Sequence, residues 1–148
     1  SPTRKTPAGV LDLNRLLQPV MNPNLGGHAH RDRPAWRQVL RAGDRVVQVE
    51  NNYDDDVYNG DLGTVVSVND ATHKCTIAFA PRPGSTEPHT VTYEGLERSQ
   101  VALAWATTVH KAQGGEYPVV VLPLHESTAK TLLQRKMLYT GVTRARHL

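Results

Sequence analysis

Apolar and polar positions change their spacing twice along the chain, and each change marks a stretch of different character. The first stretch, VLDLNRLLQPVM, repeats its apolar residues with the 3.6-residue period of an amphipathic helix, at Val10, Leu13, Leu16, Leu17 and Val20. Pro19 predicts that this helix ends or kinks near Leu17 or Gln18, because proline has no backbone N–H to donate. Residues 22–38 are rich in Gly, Pro and Asn and predict a loop or linker.

Between Ala42 and Ser99 the pattern becomes one of short strands. The stretches are β-branched, partly alternating and separated by Asn, Asp, Gly and Pro, as is typical of strands joined by turns. They are GDRVVQVE (43–50), GTVVSVN (63–69), KCTIAFA (74–80) and HTVTY (89–93). So many short strands in so few residues predict a small SH3-like barrel rather than a parallel sheet.

After Ser99 the pattern changes again. VALAWATT and YPVVVLPL are almost wholly apolar, as strands buried on both faces of a parallel α/β sheet are. A helix is predicted from Thr128 to Tyr139, with Ser127 as its N-cap. Its core-facing residues would be Leu132, Leu133, Met137 and Leu138. The sequence therefore predicts an α/β fold with a β-barrel inserted into it.

Composition narrows the class of protein only a little. The 148 residues carry a formal charge of +3 and a pI near 9.2, a mild basic bias that permits nucleic-acid binding without establishing it. The single cysteine, Cys75, excludes an internal disulfide and favours a reducing, cytoplasmic location. No apolar run reaches membrane-spanning length, so no membrane partner is expected. The start, SPTRKTPAG, has no initiator Met and is interpreted as the start of an excised fragment.

The segment ATTVHKAQGGEYPVVV concentrates polar chemistry beside an apolar stretch. Thr107, Thr108, His110 and Lys111 offer donors suited to a phosphate backbone. The tetrad that follows is Gln113, Gly114, Gly115 and Glu116. It offers a turn that allows close approach of a ligand, and a carboxylate that can accept hydrogen bonds from sugar hydroxyls or hold a Mg²⁺-bound water. An ordinary polar turn, with Gly115 as a helix cap, explains the same residue types equally well.

The segment MLYTGVTRAR ends in two arginines. An arginine held by a packed helix can stabilise charge on a transferring phosphoryl group. A solvated basic chain end is the alternative. It is preferred for Arg146, whereas the residue types leave both interpretations open for Arg144.

The segment NNYDDDVYNGDLG supplies Asn52 and Tyr53 as candidate contacts to a nucleic-acid strand. The Tyr53 ring could stack on a base or simply pack. Asn59-Gly60 predicts a tight turn. Asp54–Asp56 lack the spacing of a calcium loop, and His28, His30 and Asp32 lack a well-spaced fourth ligand, so no metal site is predicted.

Taken in order, these segments resemble a known family. TTVHKAQGGEYPVVV resembles motif V of superfamily 1 DNA helicases, and MLYTGVTRAR is similar to their motif VI. NNYDDDVYNGDLG after GDRVVQ is similar to the segment leading into the SH3-like 2B domain of RecD-like helicases, the 5′→3′ branch, and SPTRKTPAGVLDLNRLLQ resembles the region after their motif IV. The resemblance covers essentially the whole chain, in the family's order.

The resemblance implies part of an ATP-driven motor with two RecA-like lobes, in the P-loop NTPase class. Residues 1–41 would belong to the second lobe, 2A, and its linker; residues 42–99 would form the inserted SH3-like barrel, 2B; and residues 100–148 would carry motifs V and VI of 2A. Arg144 sits where the family places the arginine that reaches the γ-phosphate. Gln113, Gly114 and Glu116 fall on the nucleotide side of motif V, and Thr107, Thr108, His110 and Lys111 fall nearer the DNA.

The chain departs from the family in what it lacks. It contains no G-x-x-x-x-G-K-[ST] phosphate loop and no apolar strand ending in Asp-Glu, so it should not hydrolyse ATP alone. ATP and Mg²⁺ are expected only in a full-length protein, with single-stranded DNA, the N-terminal RecA-like lobe and exonuclease V-type subunits as partners. A non-enzymatic SH3-like module that binds nucleic acid or protein, and the helicase part of a conjugative relaxase, are the alternatives.

Overall fold

The protein was analysed as a computed structural model that describes residues 9–23, 39–69, 71–124 and 134–147. Its elements are α1 (Val10–Met21), β1 (Arg45–Gln48), β2 (Leu62–Asn69), β3 (Lys74–Phe79), β4 (His89–Glu94), a 3₁₀ helix (Gly95–Gln100), β5 (Val101–Leu103) and α2 (Arg135–Val142). The described residues fall into two compact units. One runs from Gln18 to Trp105, and the other combines the residues up to Leu17 with those from Ala106 onward.

The unit from Gln18 to Trp105 is built on five antiparallel strands in the order β4-β3-β2-β1-β5. Alternation of burial along each strand places one face on a shared core, as expected of antiparallel sheets. β2 changes register between Val65 and Ser67, an irregularity of the kind that lets a small sheet bend. The core contains Leu40, Val46, Val57, Val65, Cys75, Ile77, Phe79, Val91, Tyr93, Val101 and Leu103.

The four strands predicted from alternation are confirmed, and one further prediction is wrong. Val101–Leu103 pairs antiparallel with β1 as the fifth strand of this sheet, instead of lying in a parallel sheet. The segment is apolar because Val101 and Leu103 both enter the barrel core. Apolar content alone does not distinguish the two kinds of strand.

Two buried polar groups are built into this unit. The Tyr93 hydroxyl donates to Gln48 Oε1 at 2.9 Å, and both side chains are fully buried. The Asp44 carboxylate is fully buried as well, and accepts hydrogen bonds from the Gln18 and Asn22 side-chain amides and from the Arg41 backbone N–H. Because a buried polar group is costly unless it is bonded, these contacts fix how the chain enters β1.

Helix α1 does not end where proline predicts. It runs through Pro19 to Met21, and the Asn22 N–H still donates to the Gln18 carbonyl at 2.8 Å. Proline costs one intrahelical bond, and the buried Gln18 and Asn22 amides beside it anchor the last turn. The predicted apolar face is also only partly correct, since Leu16 and Val20 are 67% and 73% exposed.

The segments after Ala106 follow the predictions only in part. Helix α2 begins at Arg135 and continues beyond Tyr139 to Val142, with Met137 buried as predicted. The predicted N-cap Ser127, Leu132 and Leu133 lie outside the described residues. The predicted buried strand YPVVVLPL is wrong, because Val119 and Val121 are exposed and the segment pairs, among described residues, through a single parallel bridge from Tyr117 to Ala145. None of the helices in the described part of the chain is long and apolar enough to cross a membrane.

Candidate nucleotide and nucleic-acid site

The polar residues predicted to bind ligands lie mostly in one loop, Thr107–Glu116, which we call the 107–116 loop. It folds as consecutive turns: the Ala112 N–H donates to the Thr108 carbonyl at 3.1 Å, and the Gly115 N–H donates to the Ala112 carbonyl at 3.1 Å. The Thr108 hydroxyl accepts from the Lys111 N–H at 3.2 Å, which closes the first turn. Val109 and Ala112 are buried, so the polar side chains between them are presented on a fixed backbone.

Two glycines shape the end of this loop for different reasons. Gly114 adopts φ +81°, in the left-handed region that favours glycine. Gly115 does not have a positive φ, but a Cβ there would lie 2.9 Å from the Tyr117 hydroxyl oxygen. The Gln-Gly-Gly-Glu tetrad therefore needs Gly114 for its backbone angle, whereas a side chain at Gly115 would have to displace the tip of the Tyr117 side chain.

Arg144 connects the 107–116 loop with the end of α2. Its Nε donates to the Thr140 carbonyl at 3.2 Å, its Nη1 to the Gly115 carbonyl at 3.5 Å and its Nη2 to the Thr143 hydroxyl at 3.3 Å. A guanidinium has five N–H groups. One N–H on each terminal nitrogen is therefore without a bond to any described residue, while the other bonds orient the side chain.

A parallel bridge aligns the chain on either side of Arg144 with the end of the loop. The Tyr117 N–H donates to the Arg144 carbonyl at 2.8 Å, and the Arg146 N–H donates to the Tyr117 carbonyl at 2.8 Å. This register places Arg146 Nε 2.9 Å from Glu116 Oε2. Arg146 is exposed, as the interpretation of a solvated chain end expects, and its guanidinium is in addition ion-paired with Glu116.

A half-open cavity of about 280 Å³ lies between the loop and α2. It is lined by Val109, His110, Gln113, Gln134, Lys136, Met137 and Thr140. His110 and Lys136 give it hydrogen-bond donors beside an apolar floor, which suits an anionic group. Two of the predicted site residues, His110 and Gln113, thus border one concave surface.

The predicted barrel contacts, Asn52 and Tyr53, belong to the other unit. The Asn52 amide bonds within its own loop, to the Asp55 carboxylate at 2.9 Å and to the Asp55 N–H at 3.1 Å. Tyr53 is exposed, and its ring lies edge-on to Tyr58 with centroids 6.1 Å apart. The Tyr58 hydroxyl donates to Asp56, which raises the pKa of Tyr58. This surface is rich in carboxylates, unlike the 107–116 loop.

Sequence reasoning missed one residue that the structure ties to the loop. Asn14 is fully buried and exchanges two hydrogen bonds with the backbone of Ala106. The available signal is the four-residue spacing of Asn14, Gln18 and Asn22, which puts three amides on one helix face. Among the described residues, no group of three or more His, Cys, Asp or Glu side chains is placed to hold a metal ion.

Comparison with protein families places both parts of the chain among helicases. Residues 13–79 match the profile of the ATP-dependent RecD-like DNA helicase SH3 domain, and residues 103–148 match that of the UvrD-like helicase C-terminal domain. A solved structure of Pif1 helicase from Bacteroides, in complex with ADP-AlF3 and ssDNA, aligns with a TM-score of 0.54 at 24% identity, over 73% of this chain and 27% of that one. The predicted α/β fold, part of a RecA-like motor lobe with an SH3-like barrel inserted, is confirmed, and both matched profiles are of helicase domains.

Two curated relatives indicate which kind of helicase the chain resembles. The chain is 37% identical to the ATP-dependent RecD2 DNA helicase of Deinococcus radiodurans over 99% of this chain and 18% of that protein. It is 32% identical to the RecBCD enzyme subunit RecD of Mycobacterium tuberculosis over 97% of this chain and 22% of that protein. The two profiles and these relatives identify the chain as a RecD-like helicase fragment, which spans about a fifth of the length of the relatives.

Proposed function

We propose that this chain forms part of the C-terminal motor lobe of an ATP-dependent RecD-like DNA helicase, and that it contributes an arginine finger and a single-stranded DNA contact. In this proposal residues 1–41 and 100–148 belong to the RecA-like lobe and residues 42–99 to the SH3-like insertion. The N-terminal RecA-like lobe supplies the phosphate loop. The likeness to a RecBCD subunit makes exonuclease V-type subunits further candidate partners.

The orientation of Arg144 is the observation that carries the proposal. Three acceptors hold its guanidinium, and one N–H on each terminal nitrogen has no bond to a described residue. A guanidinium fixed in this way can stabilise charge on a transferring phosphoryl group without reorganising at the moment of reaction. The Gly115 carbonyl, one of the three acceptors, belongs to the 107–116 loop, so a shift of that loop would disturb the arginine.

The residues fit the phosphate end of a nucleotide and do not fit Mg²⁺. ATP supplies the γ-phosphoryl group whose transfer to water drives the motor, and Arg144 has donors for that group. Gln113, Gly114 and Glu116 are proposed to line the nucleotide, with Gly114 shaping the turn. The Glu116 carboxylate is paired with Arg146, and the described residues contain no group of three or more His, Cys, Asp or Glu side chains placed to hold a metal ion, so we propose that the other lobe holds Mg²⁺.

Single-stranded DNA is proposed to contact the loop through Thr107, Thr108, His110 and Lys111, which carry hydroxyl, imidazole and ammonium donors. His110 and Lys111 are exposed, as a contact to phosphate requires. On the barrel the proposal rests on the exposed Tyr53 ring, since the Asn52 amide already bonds to Asp55. Asn52 would act by supporting the loop that carries Tyr53.

The test is Arg144→Ala in the full-length helicase that contains this chain, with Arg146→Ala as the matched control. We expect Arg144→Ala to lower DNA-stimulated ATP turnover by about a thousandfold or more, with single-stranded DNA binding retained. Arg146→Ala should keep turnover near that of the wild type. Wild-type turnover in the Arg144→Ala protein would rule out the arginine-finger role and would favour a binding module.

A further inference from the structure

Helix α1 buries amides where its sequence pattern predicts an apolar face. Asn14, Gln18 and Asn22 are 0%, 7% and 8% exposed, and their four-residue spacing places them on one side of the helix. Burying a carboxamide is unfavourable unless its donor and acceptor are both bonded. The hydrogen bonds that each of the three amides makes therefore offset the cost of burying it.

Asn14 bonds both backbone groups of one residue. Its Nδ2 donates to the Ala106 carbonyl at 3.0 Å, and its Oδ1 accepts from the Ala106 N–H at 2.8 Å. A carboxamide carries a donor and an acceptor side by side, so it can replace a neighbouring strand at a single peptide position. The last barrel strand, β5, ends at Leu103, and Ala106 lies beyond its ladder.

Ala106 is the residue immediately before the 107–116 loop. The other end of that loop is held by the Arg144 guanidinium on the Gly115 carbonyl and by the backbone bridge at Tyr117. The loop is thus fixed at both ends, by Asn14 at its start and by Arg144 and the bridge at its end. Loss of either anchor would let Thr107 and Thr108 move relative to a bound strand.

We propose that Asn14 is a positioning residue for the DNA-contacting loop. This inference rests on the proposed function, because the loop must contact DNA for its position to matter. Asn14 itself is buried and acts through Ala106. Gln18 and Asn22, on the same helix face, belong to the Gln18–Trp105 unit and bond within it, to Asp44 and to the backbone of Val39 and Ala42.

Asn22 provides a matched control for Asn14. Both are buried asparagines on α1, and both donate from Nδ2 to a backbone carbonyl, at 3.0 Å for Asn14 and 2.9 Å for Asn22. Asn14→Leu and Asn22→Leu, in the full-length helicase, each remove a buried amide of similar size. Both should lower the melting temperature, because each leaves buried partners unsatisfied.

The two variants should differ in their response to single-stranded DNA, measured well below both melting temperatures with an oligothymidylate. We expect Asn14→Leu to raise the DNA concentration for half-maximal ATP turnover roughly ten- to a hundredfold, as misplacement of a contact residue does. Asn22→Leu should leave that concentration near the wild-type value. Asn14→Ala, which removes both bonds to Ala106 with a smaller side chain, should raise that concentration in the same direction as Asn14→Leu.

The possible outcomes separate this inference from the proposed function. Equal shifts for Asn14→Leu and Asn22→Leu, with a normal wild-type response to DNA, would overturn the positioning role alone. If Asn14→Leu does not fold, a wild-type half-maximal concentration in Asn14→Ala would overturn it. Wild-type turnover that single-stranded DNA does not stimulate would overturn the proposed function and the positioning role together.

Discussion

Arg146 and Glu116, 30 positions apart in sequence, form an ion pair of 2.9 Å because the backbone bridge between Tyr117 and Ala145 sets them side by side. Their side chains are 65% and 61% exposed. The same bridge fixes the carbonyl of Arg144, so two arginines separated by one residue have different environments. One is half-buried and held by three acceptors, and the other is exposed and paired with a carboxylate.

The Glu116–Arg146 pair should contribute little to stability. Exposed pairs are screened by water and by salt, so we expect a coupling below about 1 kcal/mol. The measurement is a double-mutant cycle with Glu116→Gln, Arg146→Ala and the double variant, using urea unfolding of this chain at low and high salt. A coupling of several kcal/mol that persists at high salt would contradict the expectation and would indicate a structural role for the pair.

Tyr93→Phe should destabilise the barrel at neutral pH. The substitution leaves Gln48 Oε1 buried without its 2.9 Å donor, which costs about 1–3 kcal/mol. Tyr53→Phe, on an exposed ring, is the control and should change the free energy of unfolding by less than about 0.5 kcal/mol. Equal losses in the two variants would show that the buried hydroxyl is not the cause.

The same variant should alter the alkaline pH dependence of stability. Burial raises the pKa of Tyr93 above its ordinary value of 10.0, and burial likewise raises the pKa of the Cys75 thiol. The folded protein therefore retains protons that the unfolded chain loses. The free energy of unfolding then falls as pH rises above the ordinary pKa values, 9.0 for Cys75 and 10.0 for Tyr93. In Tyr93→Phe the fall above about pH 10 should be shallower, with the Cys75 contribution unchanged. The measurement is denaturant unfolding of the wild type and of Tyr93→Phe at several alkaline pH values. If Tyr93 were not responsible, the free energy of unfolding would fall with pH equally in the two proteins.

Gly63→Ala should strain the centre of the sheet. A Cβ at Gly63 would lie 2.7 Å from Ile77 Cγ2 and 3.0 Å from the Ala78 carbonyl oxygen, so β2 and β3 would have to separate. Overpacking of this kind costs about 1–3 kcal/mol. Thr64→Ala, at the exposed next position of β2, is the control for thermal unfolding. A melting temperature for Gly63→Ala equal to that of Thr64→Ala would show that the strands accommodate the methyl group.

Charge and ring contacts to DNA should differ in their salt dependence. Lys111→Ala should weaken single-stranded DNA binding and reduce the slope of log affinity against log salt by about 1, since one phosphate contact is lost. Tyr53→Ala should weaken binding by about 1–3 kcal/mol if a base stacks on the ring, with the salt slope unchanged. Fluorescence anisotropy of a labelled oligothymidylate at several salt concentrations measures both. An unchanged slope in Lys111→Ala would remove this lysine from the proposed contact.

The strands could be predicted from the sequence because alternation reports burial directly when one sheet face covers a core, as Val46, Val65 and Ile77 do here. Helix α1 could also be predicted, but its buried face could not, because that face carries the amides of Asn14, Gln18 and Asn22. Apolar periodicity assigns Leu16 and Val20 to it instead. The ion pairing of Arg146 could not be predicted from the sequence either. The pairing of Arg146 depends on the backbone register with Tyr117, and no local pattern around Arg146 encodes that register.

The hydrogen bonds from Gln18 and Asn22 to Asp44 set the N-terminal boundary of the segment that can fold as an isolated barrel. A truncated protein beginning at residue 42 would retain the five strands and would remove all three donors to the Asp44 carboxylate, because Gln18, Asn22 and Arg41 all precede that residue. The smallest segment expected to fold alone therefore begins on α1, ahead of Gln18. A transfer of this barrel to another protein, by recombination or by design, would therefore have to include the second half of α1.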